Sequence, residues 1–123
     1  MSKVYLFFLL LICFKSIASN NPCDTENGGV IAGYNCVNNK IKIAEKKLDK
    51  SYKEALLRIN DESPKLITEF NFAQKEWRKY KDAECDFIGK SATDSPWQGV
   101  QIKECQLNII LLRAKYIDSV YFG

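Results

Sequence analysis

Apolar and polar residues alternate with a helical period over most of the chain. From residue 34 onward, apolar side chains recur every three or four positions, and charged side chains fill the positions between them. The first such stripe consists of Val37, Ile41, Ala44, Leu48, Tyr52, Ala55 and Ile59. This spacing places the apolar residues on one face of a helix. It predicts an amphipathic helix of roughly 25 residues, about 40 Å long.

Two further helices are predicted after the first. Residues 60–64 interrupt the stripe, and Ser63 followed by Pro64 suits the N-cap and first position of a second helix. The stripe of this helix, which is predicted to end at Gly89, is Leu66, Phe70, Ala73, Trp77, Tyr80 and Phe87. A loop over residues 89–99 is predicted to follow, and then a third helix over about residues 100–121. The predicted inward face of this third helix consists of Ile102, Cys105, Ile109, Leu112, Tyr116 and Val120. The sequence therefore predicts an all-α fold, an up-down-up antiparallel bundle of three helices.

The N-terminal region has a different character. Lys3, the apolar run 4–14 and the small residues Ser16 and Ala18 predict a signal peptide over residues 1–18, which leaves a domain over residues 19–123. The apolar run is too short to span a bilayer, so no membrane span is expected in the mature form. Lipidation at Cys13 is a weaker alternative, because the residue before it is bulky. Residues 20–33, rich in Asn and Gly, predict an irregular arm.

The cysteine count indicates an exported protein. Cleavage removes Cys13 and leaves four cysteines, which are Cys23, Cys36, Cys85 and Cys105. An even number predicts two disulfides in an oxidising compartment, either the periplasm or the outside of the cell. In an antiparallel hairpin Cys85 can face Cys105, and Cys23 would then tie the arm to Cys36. This local pairing is favoured, while the two crossed pairings stay open.

Charge and composition exclude several functions. Loss of Lys3 and Lys15 lowers the formal charge from +3 to +1, so neither nucleic acid nor an anionic membrane is an expected partner. The chain has no histidine, the usual general base and metal ligand. We therefore expect no enzyme, no cofactor and no metal. The remaining catalytic alternative is glycoside hydrolysis by the carboxylates Asp82, Glu84 and Asp86. A solvated helix face is the favoured interpretation of these residues.

A few large side chains are candidates for packing or recognition. Trp77 and Tyr80 lie on the stripe of the second helix and are predicted to be core residues with polar tips. Arg113 interrupts an apolar stretch. Asp82 of the second helix is its candidate partner, and a solvated arginine with a buried stem is the alternative. Trp97 follows Pro96 in the predicted loop, where it either covers the end of the bundle or anchors a protein partner. If the protein binds another protein, we expect this loop to make the contact.

One motif identifies a family resemblance. The segment 73–85, AQKEWRKYKDAEC, follows Cys36 and the segment 48–52, LDKSY, and precedes Cys105 and Arg113. This arrangement resembles the small exported domain of the LprI-type lysozyme inhibitors over nearly all of the mature chain. The chain departs from the family at Lys81, where arginine is usual, and at Asp49, where asparagine is common.

The resemblance implies both a structural role for the motif and a function for the protein. Trp77, Tyr80, Asp82 and Arg113 would join the second and third helices. The protein would bind a lysozyme or another peptidoglycan hydrolase, including as an immunity protein against a toxin. An inhibitor of a basic lysozyme would benefit from an acidic surface, whereas the net charge here is near neutral. An accessory or scaffold protein of the cell envelope is the alternative.

Overall fold

Three helices joined by short connections make up the fold. In a computed structural model of the protein, the described residues are Cys23 and 28–122. The elements are α1 (Gly29–Glu62), a 3₁₀ turn (Pro64–Leu66), α2 (Ile67–Ser91) and α3 (Gln98–Ser119). α2 runs antiparallel to both α1 and α3, and no strand occurs in the described part of the chain. The predicted all-α, three-helix fold is confirmed, while the predicted signal peptide lies outside the described residues.

α1 begins sooner than the sequence pattern indicates. The prediction of an irregular arm is wrong for residues 29–33, which form the first turns of α1. The chain enters this helix at Gly29, whose φ of 64° lies in the left-handed region that favours glycine. Gly33 is buried and lines the same cavity as Val37 and Val100. This packing against the start of α3 outweighs the low helix propensity of glycine.

The core lies mainly between α1 and α3. The buried cluster consists of Ala44, Leu48 and Ala55 of α1 with Ile110, Ala114 and Ile117 of α3. Three of these six residues are alanines, which allow the two helices to approach closely. α2 adds the partly buried rings of Phe70 and Trp77. A fully buried leucine or isoleucine contributes roughly 1.5–3 kcal/mol to stability, and three such residues, Leu48, Ile110 and Ile117, lie in this seam.

Two predicted inward faces need correction. On α3, Leu112 and Tyr116 are exposed, and the core residues are Val100, Ile110, Ala114 and Ile117. On α2, the expected core residues Ala73, Tyr80 and Phe87 are exposed, whereas Gln74, Cys85 and Gly89 are buried. α3 packs against two helices, so the stripe read from its sequence follows the seam with α2 rather than the larger seam with α1.

The turn after α1 is fixed by contacts with the end of the chain. Ser63 does not cap a helix with its side chain as predicted, and its hydroxyl instead donates to the Phe122 carbonyl at 2.8 Å. Arg58 donates from Nη2 to the Ile117 carbonyl at 2.7 Å, in the last turn of α3. A cation at a helix C-terminus also interacts favourably with the helix dipole. These contacts hold the ends of α1 and α3 side by side.

The helices of the described part of the chain are not suited to a bilayer. None of the helices within residues 28–122 combines the length and the apolar character that crossing a membrane requires.

Candidate functional site

Two disulfides fix the end of the bundle at which α3 begins. Cys85 near the end of α2 is bonded to Cys105 of α3, with 5.5 Å between their Cα atoms. Cys23 is bonded to Cys36 of α1, with 5.0 Å between their Cα atoms. The favoured local pairing is confirmed. The first bridge ties α2 to α3, and the second ties the segment before α1 to that helix.

Arg113 lies at the centre of a cluster that joins α2 and α3. Its Nε donates to the Gln74 side-chain oxygen at 2.9 Å. The guanidinium carbon lies 5.6 Å from the centre of the Trp77 ring and 5.5 Å from that of Tyr116. Burial lowers the pKa of the Arg113 guanidinium, while the charge of Tyr116 acts in the opposite direction. Arginine remains protonated in such surroundings, so the cluster holds a fixed positive charge between two aromatic rings.

The structure gives Arg113 a different partner from the predicted Asp82. The polar partner of Arg113 is Gln74, which is buried on the face of α2 that meets the other helices. Asp82 lies two turns further along, is exposed, and pairs with Lys81 at 3.1 Å. A signal for Gln74 was present in the sequence, because it lies four residues after Phe70 and three before Trp77. A polar residue at such an inward position needs a partner when buried.

The carboxylates of α2 do not form an acid–base pair. Asp82, Glu84 and Asp86 are all exposed, and Asp86 pairs with Lys90 at 3.1 Å. Glycosidases place two carboxyl groups in different environments, whereas all three carboxylates here are exposed on α2. Among the described residues, no group of side chains could hold a metal ion.

A groove between α2 and α3 exposes large side chains. Its lower recess, of about 250 Å³, is lined by Trp77, Tyr80, Ile109, Leu112, Arg113 and Tyr116. Its upper recess, of about 460 Å³, shares Tyr80 and Ile109 and adds Glu84, Ile88, Gln101, Glu104, Cys105 and Asn108. Together these residues are the α2–α3 groove. Tyr80 was predicted to be a core residue, but 56% of it is exposed.

A second apolar groove lies on the opposite side of α3. This α1–α3 groove is lined by Lys40, Ile43, Ala44, Lys47, Leu107 and Leu111. Ile43 is 69% exposed and provides its largest accessible apolar surface. Lysines thus line this groove, whereas two carboxylates line the upper recess of the α2–α3 groove and Arg113 lines its lower recess.

The predicted binding loop is shorter than expected. α2 continues to Ser91 and α3 begins at Gln98, so the connection is residues 92–97 rather than 89–99. Pro96 is exposed, and Trp97 is half-buried directly before α3. The backbone N–H of Trp97 donates to Ser95 Oγ at 3.1 Å. A role of Trp97 and Pro96 in partner binding remains a prediction.

Comparisons with known proteins now assign the chain to a family. Searches of curated proteins and of solved structures found no match. A comparison with protein families matches residues 23–117 to the family described as Lysozyme inhibitor LprI. The match includes all four bridged cysteines, the motif of α2 and Arg113, and it covers most of the chain. This protein therefore belongs to the LprI family of lysozyme inhibitors.

Proposed function

We propose that this protein inhibits a lysozyme or another peptidoglycan hydrolase by binding to it. The observation that carries the proposal is the family match over residues 23–117. Membership in a family of lysozyme inhibitors implies a protein partner and a mechanism based on binding rather than on turnover. An immunity role, in which the target is a toxin that degrades the cell wall, is a variant of the same activity.

The chemistry of the surface agrees with binding. The α2 carboxylates are exposed, with Asp82 and Asp86 in separate ion pairs, and so do not form a catalytic pair. By contrast, Tyr80, Leu112 and Tyr116 expose large areas in one groove. Contiguous exposed apolar patches larger than about 300–600 Å² often mark protein–protein interaction sites.

The place of action follows from the same proposal. Residues 1–18 have the pattern of a signal peptide, and both disulfides need an oxidising compartment to persist. We propose that the protein is exported and acts in the periplasm or outside the cell, where peptidoglycan hydrolases also act.

The test is an inhibition assay with protein that has been secreted by the expressing cells, so that the predicted signal peptide is removed. It is added to a panel of muramidases, and residual lysis of cell-wall suspensions is measured, with the reduced and unfolded protein as control. Inhibition of at least one muramidase at micromolar concentration or below is expected. Neither inhibition nor binding at that concentration would overturn the proposal. Turnover of muropeptides by the protein alone, abolished in a folded Asp82→Asn variant, would instead support the hydrolase alternative.

A further inference from the structure

The two grooves beside α3 have opposite charges at their edges. In the α1–α3 groove the charged lining residues are Lys40 and Lys47. In the upper recess of the α2–α3 groove they are Glu84 and Glu104, and Glu104 also lines a cavity with Lys40. The lower recess holds the positive Arg113 guanidinium, which is hydrogen-bonded to the neutral Gln74 and lies beside two rings. The upper recess therefore offers its two carboxylates to a cationic partner, whereas the lysines of the other groove repel one.

We infer that the α2–α3 groove is the docking surface for a basic lysozyme-type hydrolase. This inference rests on the proposed function and names the surface and the charge of the partner. A net charge near zero does not oppose such a partner, because the acidic groups that matter are those at the contact. Complementary charge at an interface speeds association and determines which face a partner meets.

The apolar part of the groove has the side chains that dominate binding energies. Leu112 is 67% exposed and Tyr116 is 55% exposed, and both line the lower recess with Trp77. Tryptophan, tyrosine and arginine are the residues most enriched at binding hot spots. This recess would bury an apolar side chain of the partner and exclude water from around it.

Two links hold the walls of the groove together. Its two walls are α2 and α3, which the Cys85–Cys105 bridge joins, and Cys105 itself lines the upper recess. The Arg113 guanidinium, bonded to Gln74, crosses from one wall to the other in the lower recess. Little order has to be imposed when a partner binds, and this lowers the entropic cost of association.

The two ends of the groove fix the orientation of the partner. Glu104 and Leu112 lie eight residues apart on α3, which corresponds to roughly 12 Å along the helix. The partner is expected to place a lysine or arginine near Glu84 and Glu104, and an apolar side chain about 12 Å away, near Leu112 and Tyr116.

A matched pair of leucines tests the apolar end. Leu112 of the groove and Leu57 of α1 are both 67% exposed. Leu57 lies two residues from the buried Ala55 and Ile59, and therefore on the outer side of its helix. Binding of each secreted variant to a basic c-type lysozyme is measured by calorimetry. Leu112→Ala is expected to weaken binding at least tenfold, and Leu57→Ala to leave it unchanged.

A second comparison tests the acidic end. Glu84→Lys combined with Glu104→Lys is compared with Asp61→Lys combined with Glu62→Lys, which makes the same change of charge at the exposed end of α1. At low salt the groove variant is expected to associate with the lysozyme at least tenfold more slowly than the control variant. Its association rate is also expected to rise with added salt rather than fall, since two lysines at the contact repel a basic partner and salt screens that repulsion.

Each outcome decides between the inference and its competitors. A wild-type protein that fails to bind any muramidase overturns the proposed function itself. A wild-type protein that binds, with equal affinities for Leu112→Ala and Leu57→Ala, overturns only the groove assignment. Loss of affinity in Trp97→Ala but not in Leu112→Ala would place the contact at the loop and overturn the groove assignment.

Self-association is tested by sedimentation. A dimer that dissociates in Leu112→Ala overturns the inference, because the groove would then bind a second copy of the protein. Circular dichroism confirms folding, and Tyr80→Ser replaces Leu112→Ala if that variant unfolds.

Discussion

At the scale of single residues, Arg113 shows how packing assigns a role that spacing leaves open. Sequence spacing offered Asp82 as its partner, because an arginine opposite a carboxylate is a common pair. The structure instead places Gln74, a neutral and buried residue, within 2.9 Å of its Nε. The charge is stabilised by the faces of Trp77 and Tyr116 rather than by an anion. A planar guanidinium suits this arrangement better than a lysine ammonium does.

We predict that Arg113→Ala lowers the free energy of unfolding by about 2 kcal/mol. The buried Gln74 oxygen loses its donor, which costs about 1–3 kcal/mol, and the rings lose their cation. Urea denaturation measures the effect. Gln74→Leu and the double variant complete a double-mutant cycle, in which we expect an interaction free energy of about 1 kcal/mol between Arg113 and Gln74. Lys115→Ala, exposed on the same helix, should change stability by less than about 0.5 kcal/mol. Additive effects in the cycle would contradict the direct contact.

Tyr52 gives a prediction for alkaline conditions. Its hydroxyl donates to Asn71 and its ring stacks on Phe70, with 5.3 Å between the ring centres. Burial raises the pKa of the Tyr52 phenol above its usual value of about 10. The folded state thus favours the neutral phenol. The stability that the Tyr52 phenol contributes is therefore complete below about pH 10 and is lost as the pH rises through the folded-state pKa.

Stability measured from pH 8 to 11 should therefore fall more steeply for the wild type than for Tyr52→Phe. Tyr121→Phe is the control, because the Tyr121 side chain is highly exposed in the folded protein. Parallel curves for the wild type and Tyr52→Phe would show that the phenol titrates equally in the folded and unfolded protein.

At the scale of elements, helical periodicity predicted the existence of all three helices but not all of their buried faces. α1 has one clear stripe, and its predicted residues Val37, Ala44, Leu48, Ala55 and Ile59 are buried. In α3, the apolar run 109–112 covers more than one side of the helix, so two stripes fit the sequence. The larger seam with α1 uses Ile110 and Ala114, and the pattern alone contains no information about which neighbour is nearer.

Gly89 illustrates the same limit for helix ends. A glycine near the end of an apolar stripe often marks a helix terminus. Here α2 continues to Ser91, and Gly89 is buried within it. A Cβ at this position would lie 2.6 Å from Ile102 Cδ1 and 2.7 Å from its Cγ1, so a side chain would crowd Ile102. Gly89 allows α2 and α3 to approach closely beside the Cys85–Cys105 bridge.

We predict that Gly89→Ala destabilises the protein by roughly 1 kcal/mol. Overpacking costs about 1–3 kcal/mol, and the better helix propensity of alanine offsets about 1 kcal/mol of it. Gly99→Ala is the control, since its Cβ would meet Tyr34 at an ordinary 3.5 Å and should be tolerated. Thermal unfolding of both variants measures the difference. Equal melting temperatures for Gly89→Ala and the wild type would mean that Ile102 moves aside freely.

At the scale of the whole molecule, the sequence predicted the bundle and its two bridges better than it predicted the exposed α2–α3 groove. Cysteine positions and helix order favoured the local pairings, because neighbouring ends of an antiparallel hairpin come together, but they left the two crossed pairings open. A surface depends on which side chains remain uncovered after packing. Leu112 and Tyr116 look like core residues in the sequence, and only the position of α1 against the other side of α3 leaves them exposed. The α2–α3 groove was thus hidden within a predicted core stripe.

The two bridges should contribute similarly to stability but act on different parts of the molecule. They join residues separated by 20 and 13 positions, so loop-closure entropy gives about 3 kcal/mol for each. Cys85→Ala with Cys105→Ala is expected to raise amide hydrogen exchange at the end of α2 and the start of α3. Cys23→Ala with Cys36→Ala should raise exchange only in the first turns of α1.

The reason for this difference is the position of each bridge in the bundle. The core cluster holds α1 against α3 along much of their length, whereas near the Cys85–Cys105 bridge α2 contributes only Cys85 and Gly89 as buried residues. Local opening is easiest where buried contacts are few. If both pairs of substitutions raise exchange uniformly over all three helices, the domain opens as one unit and the bridges do not act locally. Exchange confined as predicted would mean that the Cys85–Cys105 bridge keeps the walls of the α2–α3 groove together.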